Sequence, residues 1–110
     1  MSLIVERARM LREWRKWVPR VVEAIKQLYP DAEIYVIGSV AEGTYTGASD
    51  LDLLVVTKNP PRTPREEAEA KTRIEDLASL PIYHPLEIHF ASQEEKQKWL
   101  KWSRKAIRLA

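Results

Sequence analysis

The chain has 110 residues, which suits one compact domain because domains usually run to about 100–200 residues. Its composition of 45% hydrophobic and 31% charged residues is typical of a folded globular protein and not of a disordered or fibrous one. There is no cysteine, so disulfides, thiolate metal sites and cysteine nucleophiles are excluded. The net charge of +2 is too small to indicate nucleic-acid binding by itself. We expect a single domain over residues 1–110.

Basic side chains are concentrated at the two ends of the chain. They are Arg7, Arg9, Arg12, Arg15, Lys16 and Arg20 near the start, and Lys96, Lys98, Lys101, Arg104, Lys105 and Arg108 near the end. Amphipathic helices carry charges on their solvated face, so an ordinary helix surface is the simpler interpretation and an RNA-binding surface is the alternative. No apolar run approaches the roughly 20 residues that cross a bilayer, and charged residues interrupt the apolar start of the chain. We expect a cytoplasmic protein that does not enter a membrane.

The first half of the chain predicts helices followed by two strands. Apolar residues recur at three- and four-residue steps up to position 28, which indicates helical structure. Pro19 predicts either a kink in one helix or the start of a second. Residues 33–37 are rich in β-branched and aromatic side chains and predict a strand that ends at Gly38. A second strand is predicted to start near Leu51, after an irregular stretch.

The second half predicts a helix, a third strand and a final helix. Thr63-Pro64-Arg65-Glu66 has the spacing of a capping box and predicts a helix over about 64–79. Apolar and polar residues alternate over 86–90, which indicates a strand. A second capping box at Ser92 predicts a final helix that includes Ile107. The whole pattern predicts an α/β (α+β) fold in which helices pack against a small mixed β-sheet in two layers.

Gly38 and Ser39 form the first part of a candidate site. A glycine directly after a strand lets the backbone turn sharply and approach a ligand closely. The serine that follows can offer a hydroxyl and an amide hydrogen, and a short helix starting there would add a partial positive charge. These features suit the binding of a phosphate group.

Asp50 and Asp52 form the second part. Their spacing places both carboxylates on one face of a strand, where they would repel each other unless a cation lies between them. Magnesium prefers oxygen ligands and usually takes one or two carboxylates plus substrate phosphates. Glu87 lies on the third predicted strand, faces the same way and is a candidate third ligand or general base. His89 shares that face and is the alternative.

Four tryptophans and a second histidine have simpler interpretations. Trp14, Trp17, Trp99 and Trp102 fall at helical spacing, which is typical of core or interface positions. Trp17 lies beside the apolar stripe, and Trp99 and Trp102 cannot both lie with Leu100 on one narrow face. We therefore expect two tryptophans to be exposed and to offer a docking surface for a partner or for a second copy of the chain. We expect His84 to be structural or solvated.

The segment Ile37-Gly38-Ser39, ten residues and then Asp50-Leu51-Asp52-Leu53 resembles the signature of the DNA polymerase beta-like nucleotidyltransferases. The short chain is similar to the minimal nucleotidyltransferases of bacteria and archaea. The resemblance implies that Gly38 and Ser39 hold the triphosphate of ATP or another nucleoside triphosphate. It also implies that Asp50 and Asp52 bind two magnesium ions, with Glu87 as the third carboxylate. The implied reaction transfers a nucleoside monophosphate, AMP if ATP is the donor, to a protein or other acceptor.

The resemblance also implies a partner. Many minimal family members pair with a helical protein of the HEPN type and act as its antitoxin by adenylylating it. In this sequence Glu42 and Thr46 stand where such antitoxins often carry arginine, and Glu87 stands where aspartate is more usual. The alternative expectation is therefore a catalytically inactive module that keeps the fold and binds a toxin or another subunit.

Overall fold

The computed structural model describes residues 2–110, over which the chain forms five helices and four strands. The helices are α1 (Leu3–Arg12), α2 (Trp14–Leu28), α3 (Gly38–Glu42), α4 (Pro64–Leu77) and α5 (Gln93–Trp102). The strands are β1 (Glu33–Ile37), β2 (Leu51–Val56), β3 (Leu86–Ala91) and β4 (Ile107–Arg108). The predicted mixed α/β fold is confirmed, and so are the first three strands. Among the described residues, no helix is both long enough and apolar enough to cross a bilayer.

The first helical region breaks at Glu13 and not at Pro19. Glu13 separates α1 from α2, and Pro19 lies inside α2. The proline is exposed, whereas its neighbours Trp17 and Val18 are buried. The proline therefore lies on the solvent side of α2, and the apolar face of the helix continues without interruption. Burial of that face therefore outweighs the hydrogen bond that proline cannot donate.

The sheet has the strand order β3-β2-β1-β4. Strand β2 pairs antiparallel with β1 and parallel with β3, so the predicted mixed sheet is confirmed. In this register Asp52 lies opposite Ile37 on one side and opposite Glu87 on the other. The end of β1, the start of β2 and the start of β3 therefore meet at one end of the sheet.

Helices cover both faces of the sheet. Helices α1, α2 and α4 pack on one face, against buried residues such as Leu51, Leu53 and Val55. The opposite face carries a smaller apolar cluster, in which Leu54 and Val56 contact Trp99 and Leu100 of α5. The predicted two-layer arrangement was therefore incomplete, because α5 forms a partial third layer. Asp52 shares the face of Leu54 and lies beside this smaller cluster.

The predicted final helix was too long. Helix α5 ends at Trp102, and Ile107 belongs to β4, which pairs antiparallel with β1. The backbone of Ile34 also bonds with Leu109 and Ala110, so the chain end satisfies the outer edge of β1. A strand of two residues leaves no alternation of apolar and polar residues for sequence reasoning to detect.

Both predicted caps are present. The Thr63 hydroxyl accepts from the amide of Glu66 at the start of α4, and the Glu66 carboxylate accepts from the amide of Arg62. Ser92 and Glu95 form a complete capping box at the start of α5. These side chains satisfy amides that the first helical turn leaves without partners.

Two of the tryptophans differ in the way they are placed. Trp17 is buried and its indole N–H donates to the carbonyl of Met10, so the expectation that it is exposed was wrong. The break at Glu13 makes Trp14 the first residue of a new helix and so changes which side chains face the core. Trp102 is 62% exposed, as expected.

Candidate active site

The turn between β1 and α3 brings the backbone of Gly38 against the carboxylate of Asp52. Gly38 has a φ of +75°, a left-handed conformation that favours glycine. A Cβ atom at this position would lie 2.8 Å from Oδ2 of Asp52, closer than carbon and oxygen atoms can pack. Glycine is therefore required here for two reasons, its backbone conformation and the space that Asp52 occupies.

The amide of Gly38 is already engaged. It donates to Oγ of Ser103 over 2.9 Å, and that hydroxyl donates to the carbonyl of Lys105. Ser103 is only 3% exposed and follows α5, so it joins the end of that helix to the glycine turn. Gly38 thus lets the backbone approach Asp52 closely, while Ser39 follows it in the first turn of α3. Sequence reasoning missed Ser103, because nothing in the sequence brings position 103 to position 38.

Asp52 is held by a histidine. Its Oδ1 lies 2.9 Å from Nε2 of His89 on the neighbouring strand. The two side chains are 19% and 24% exposed, which leaves little freedom to turn away. The imidazole ring of His89 lies 4.8 Å from a ring of Trp99 in α5. His89 therefore orients the Asp52 carboxylate and is itself fixed by an aromatic contact.

Asp50 lies outside the strand. Because β2 begins at Leu51, the expectation that both aspartates project from one face of a strand holds only for Asp52. The Asp50 carboxylate is 59% exposed and forms an ion pair with Nη2 of Arg7 over 2.6 Å. Nη1 of the same arginine donates to the carbonyl of Ser49 over 2.9 Å. Sequence reasoning gave Arg7 no role in this site, because it lies more than 40 residues away in the chain.

Glu87 is the pairing partner of Asp52 in the β2–β3 register. Its side chain, however, lies 3.3 Å from Nζ of Lys71 in α4 and is 47% exposed. Lys71 also lies 3.6 Å from Glu67. Of the two alternatives for the third group of the site, His89 is the one that contacts Asp52, whereas Glu87 faces Lys71.

His84 has a structural position, as expected. Its Nε2 bonds to Glu75 of α4, and its Nδ1 accepts from the amide of Leu86 at the start of β3. Both ring nitrogens are therefore occupied in fixing the loop before β3.

The donor atoms suit a divalent cation of the magnesium type. Carboxylate oxygens are its preferred protein ligands, and one or two of them suffice when phosphates complete the coordination shell. Asp52 is fixed by Gly38 and His89, and Asp50 is exposed next to the start of the same strand. Within residues 2–110, no three acidic or histidine side chains already surround one point. Two carboxylates at the end of the sheet therefore form the available ligand set.

Residues 18–109 match the model of the nucleotidyltransferase domain family. The chain belongs to this family. Two solved structures are similar. One is a proposed nucleotidyltransferase from Sulfolobus solfataricus, with a TM-score of 0.63 and 22% identity over 98% of this chain and 86% of that chain. The other is also a proposed nucleotidyltransferase, with a TM-score of 0.59 and 28% identity over 84% of this chain and 97% of that chain.

The nucleotidyltransferase domain supports nucleotidyl transfer as the general function of the chain. The similar structures agree with the four-stranded mixed sheet and its covering helices. The family match begins at residue 18, so α1 and its Arg7 lie outside it.

Proposed function

We propose that the chain is a magnesium-dependent nucleotidyltransferase that transfers a nucleoside monophosphate, AMP from ATP, to a protein or other acceptor. The observation that carries the proposal is the contact between the Gly38 turn and the Asp52 carboxylate. The contact supports the proposal because a turn that would bind phosphate lies directly beside a carboxylate that would bind a cation. Asp50 adds a second carboxylate at the start of the same strand.

Each side chain has a separate task in this proposal. Asp50 and Asp52 would hold two divalent cations, which supply electrostatic stabilisation of the transferred phosphoryl group and of the leaving pyrophosphate. Ser39 binds the triphosphate with its hydroxyl and amide. His89 keeps Asp52 in position through the bond between Nε2 and Oδ1, as second-shell groups do for metal ligands.

Glu87 is the proposed general base. It lies opposite Asp52 in the sheet, and its half-exposed side chain is able to rotate away from Lys71 toward an acceptor hydroxyl. An exposed ion pair of this kind is worth only about 0–1 kcal/mol, so releasing it is inexpensive. The proton of the acceptor would then pass to a carboxylate oxygen of Glu87.

The test combines binding and transfer. Calorimetric titration of the wild-type protein with Mg-ATP should show binding that requires magnesium. Asp52→Asn should lose that binding, and transfer from α-labelled ATP to a co-purified acceptor should fall by roughly a hundredfold or more. Glu69→Gln is the control, since Glu69 is an exposed acid that pairs with Arg65 on α4. Equal transfer by wild type and Asp52→Asn would refute the assignment.

A catalytically inactive binding module is the second candidate function. It is favoured by the exposed Trp102, whose ring stands edge-on to Trp99 on α5 and offers an aromatic surface to a partner. A helical protein of the HEPN type, or a second copy of the chain, is the proposed partner. A complex that forms equally well with the Asp50→Asn/Asp52→Asn protein, without any nucleotide transfer by the wild type, would favour this candidate.

A further inference from the structure

Helix α1 packs directly on the loop that carries Asp50. If Gly47 carried a Cβ atom, it would lie 3.4 Å from Cβ of Ala8, so the helix and the loop are in close contact. Leu11 anchors the other end of α1 in the main core with no exposed surface. Helix α1 is therefore held in place beside the loop, although it lies outside the region that matches the family.

The glycine turn and the aspartates are short of positive charge. Residues 38–52 contain no lysine or arginine, while Glu42, Asp50 and Asp52 are all acidic. A triphosphate bound there would meet a net negative segment unless cations come from elsewhere. Arg7 brings a cation to this segment through its contacts with Ser49 and Asp50.

The guanidinium group of Arg7 makes two different kinds of contact. Nη1 donates to a neutral backbone carbonyl, that of Ser49, over 2.9 Å. Nη2 pairs with the Asp50 carboxylate, which is 59% exposed. Loss of the second contact would leave the first in place, so the guanidinium would stay beside Asp50 even when that carboxylate binds something else.

We propose that Arg7 is a phosphate-binding residue of this site, supplied by α1. When a divalent cation binds the Asp50 carboxylate, Nη2 transfers from Asp50 to a phosphate oxygen of the nucleoside triphosphate, while Nη1 stays on Ser49. A phosphate bound to the same cation as Asp50 would be close to that carboxylate and so within reach of Nη2. The inference rests on the proposed function for its triphosphate ligand.

The planar guanidinium group of arginine is suited to this change of hydrogen-bond partner. Its N–H donors have fixed relative directions, so one can keep the carbonyl while another turns from a carboxylate to a phosphate. A lysine at position 7 would carry the charge without the second anchored donor. Arg7→Lys should therefore retain only part of the phosphate affinity.

The exchange predicts effects of opposite sign on two ligands. Arg7→Gln removes the cation that competes for Asp50, so Mn²⁺ added alone should bind about two- to fivefold more tightly, as measured by electron paramagnetic resonance. The same variant should bind magnesium tripolyphosphate and Mg-ATP roughly tenfold more weakly by calorimetry, because a charge-assisted hydrogen bond is lost. Thermal unfolding followed by circular dichroism verifies that each variant is folded.

Arg9→Gln is the matched control, because Arg9 is an exposed arginine of the same helix whose guanidinium lies 3.9 Å from Glu6. Arg9→Gln should change neither the affinity for Mn²⁺ nor the affinity for magnesium tripolyphosphate and Mg-ATP. A folded Arg7→Gln protein that weakens Mn²⁺ and tripolyphosphate together, or changes neither, would overturn the inference while leaving the proposed function standing. Failure of the wild type to bind Mg-ATP at all would instead overturn both.

Discussion

Replacing Gly38 by alanine tests whether the glycine turn is shaped by Asp52. At a φ of +75° an alanine costs about 1–2 kcal/mol from backbone strain alone. Its Cβ would also lie 2.8 Å from Oδ2 of Asp52, inside the roughly 3.5 Å at which non-bonded atoms attract most strongly. Asp52 has little room to yield because His89 holds it from the other side. Overpacking adds about 1–3 kcal/mol to this cost. We therefore expect Gly38→Ala to lower the free energy of unfolding by about 2–5 kcal/mol in total.

Gly43 provides a matched control for backbone strain. Its φ is +76°, nearly the same as that of Gly38, but a Cβ atom there would meet nothing within 4 Å. Urea denaturation followed by tryptophan fluorescence should therefore show a loss of only about 1–2 kcal/mol for Gly43→Ala. Magnesium-dependent ATP binding should persist in Gly43→Ala and be lost in Gly38→Ala. If the two variants lost the same free energy of unfolding and bound ATP equally well, the close approach of Gly38 to Asp52 would be refuted.

Two further predictions concern groups that support the site and the sheet. Ser103→Ala removes the acceptor of the buried Gly38 amide and should cost about 1–3 kcal/mol in urea denaturation, whereas Ser103→Thr, which keeps the hydroxyl, should cost less. Hydrogen bonds from Lys96, Gln93 and Tyr35 lower the pKa of Glu33 to about 2. Because folding lowers this pKa, the ionised carboxylate stabilises the protein above its ordinary pKa of about 4.3, and that contribution is lost as the pH falls toward 2. The stability difference between wild type and Glu33→Gln should shrink over that range in urea titrations, and a constant difference would contradict the assignment.

Local patterns predicted much of the fold. Strand β1 was predicted at its observed limits, because β-branched residues end abruptly at Gly38. The caps at Thr63 and Ser92 depend on side chains three residues apart, so the sequence contains all the information they need. Glu87 was placed correctly on the third strand, although the sequence left the alignment of that strand with the second open.

Contacts between distant segments could not be predicted. Ser103 reaches Gly38 over a separation of 65 residues, and Arg7 reaches Asp50 over 43. Neither position has a pattern that distinguishes it from its neighbours, since serine and arginine are common on helix surfaces and at helix ends. The break at Glu13 was equally hidden, because no glycine or proline marks it. The sequence therefore predicted the glycine turn, the carboxylates and His89 as a neighbour of the site, but not Ser103 and Arg7, which contact the turn and Asp50.

The partners of the two aspartates suggest different tasks for them. Asp52 is enclosed by Gly38 and His89 and is only 19% exposed, so its carboxylate is a fixed group. Asp50 is 59% exposed and pairs with a single arginine, a kind of contact that typically contributes only about 0–1 kcal/mol. A cation that binds both carboxylates would therefore find Asp52 already oriented and would displace Arg7 from Asp50 at small cost. In the proposed site Asp52 would therefore determine where the cation lies and Asp50 how readily it binds, so the exchange proposed at Arg7 should alter affinity without moving the site.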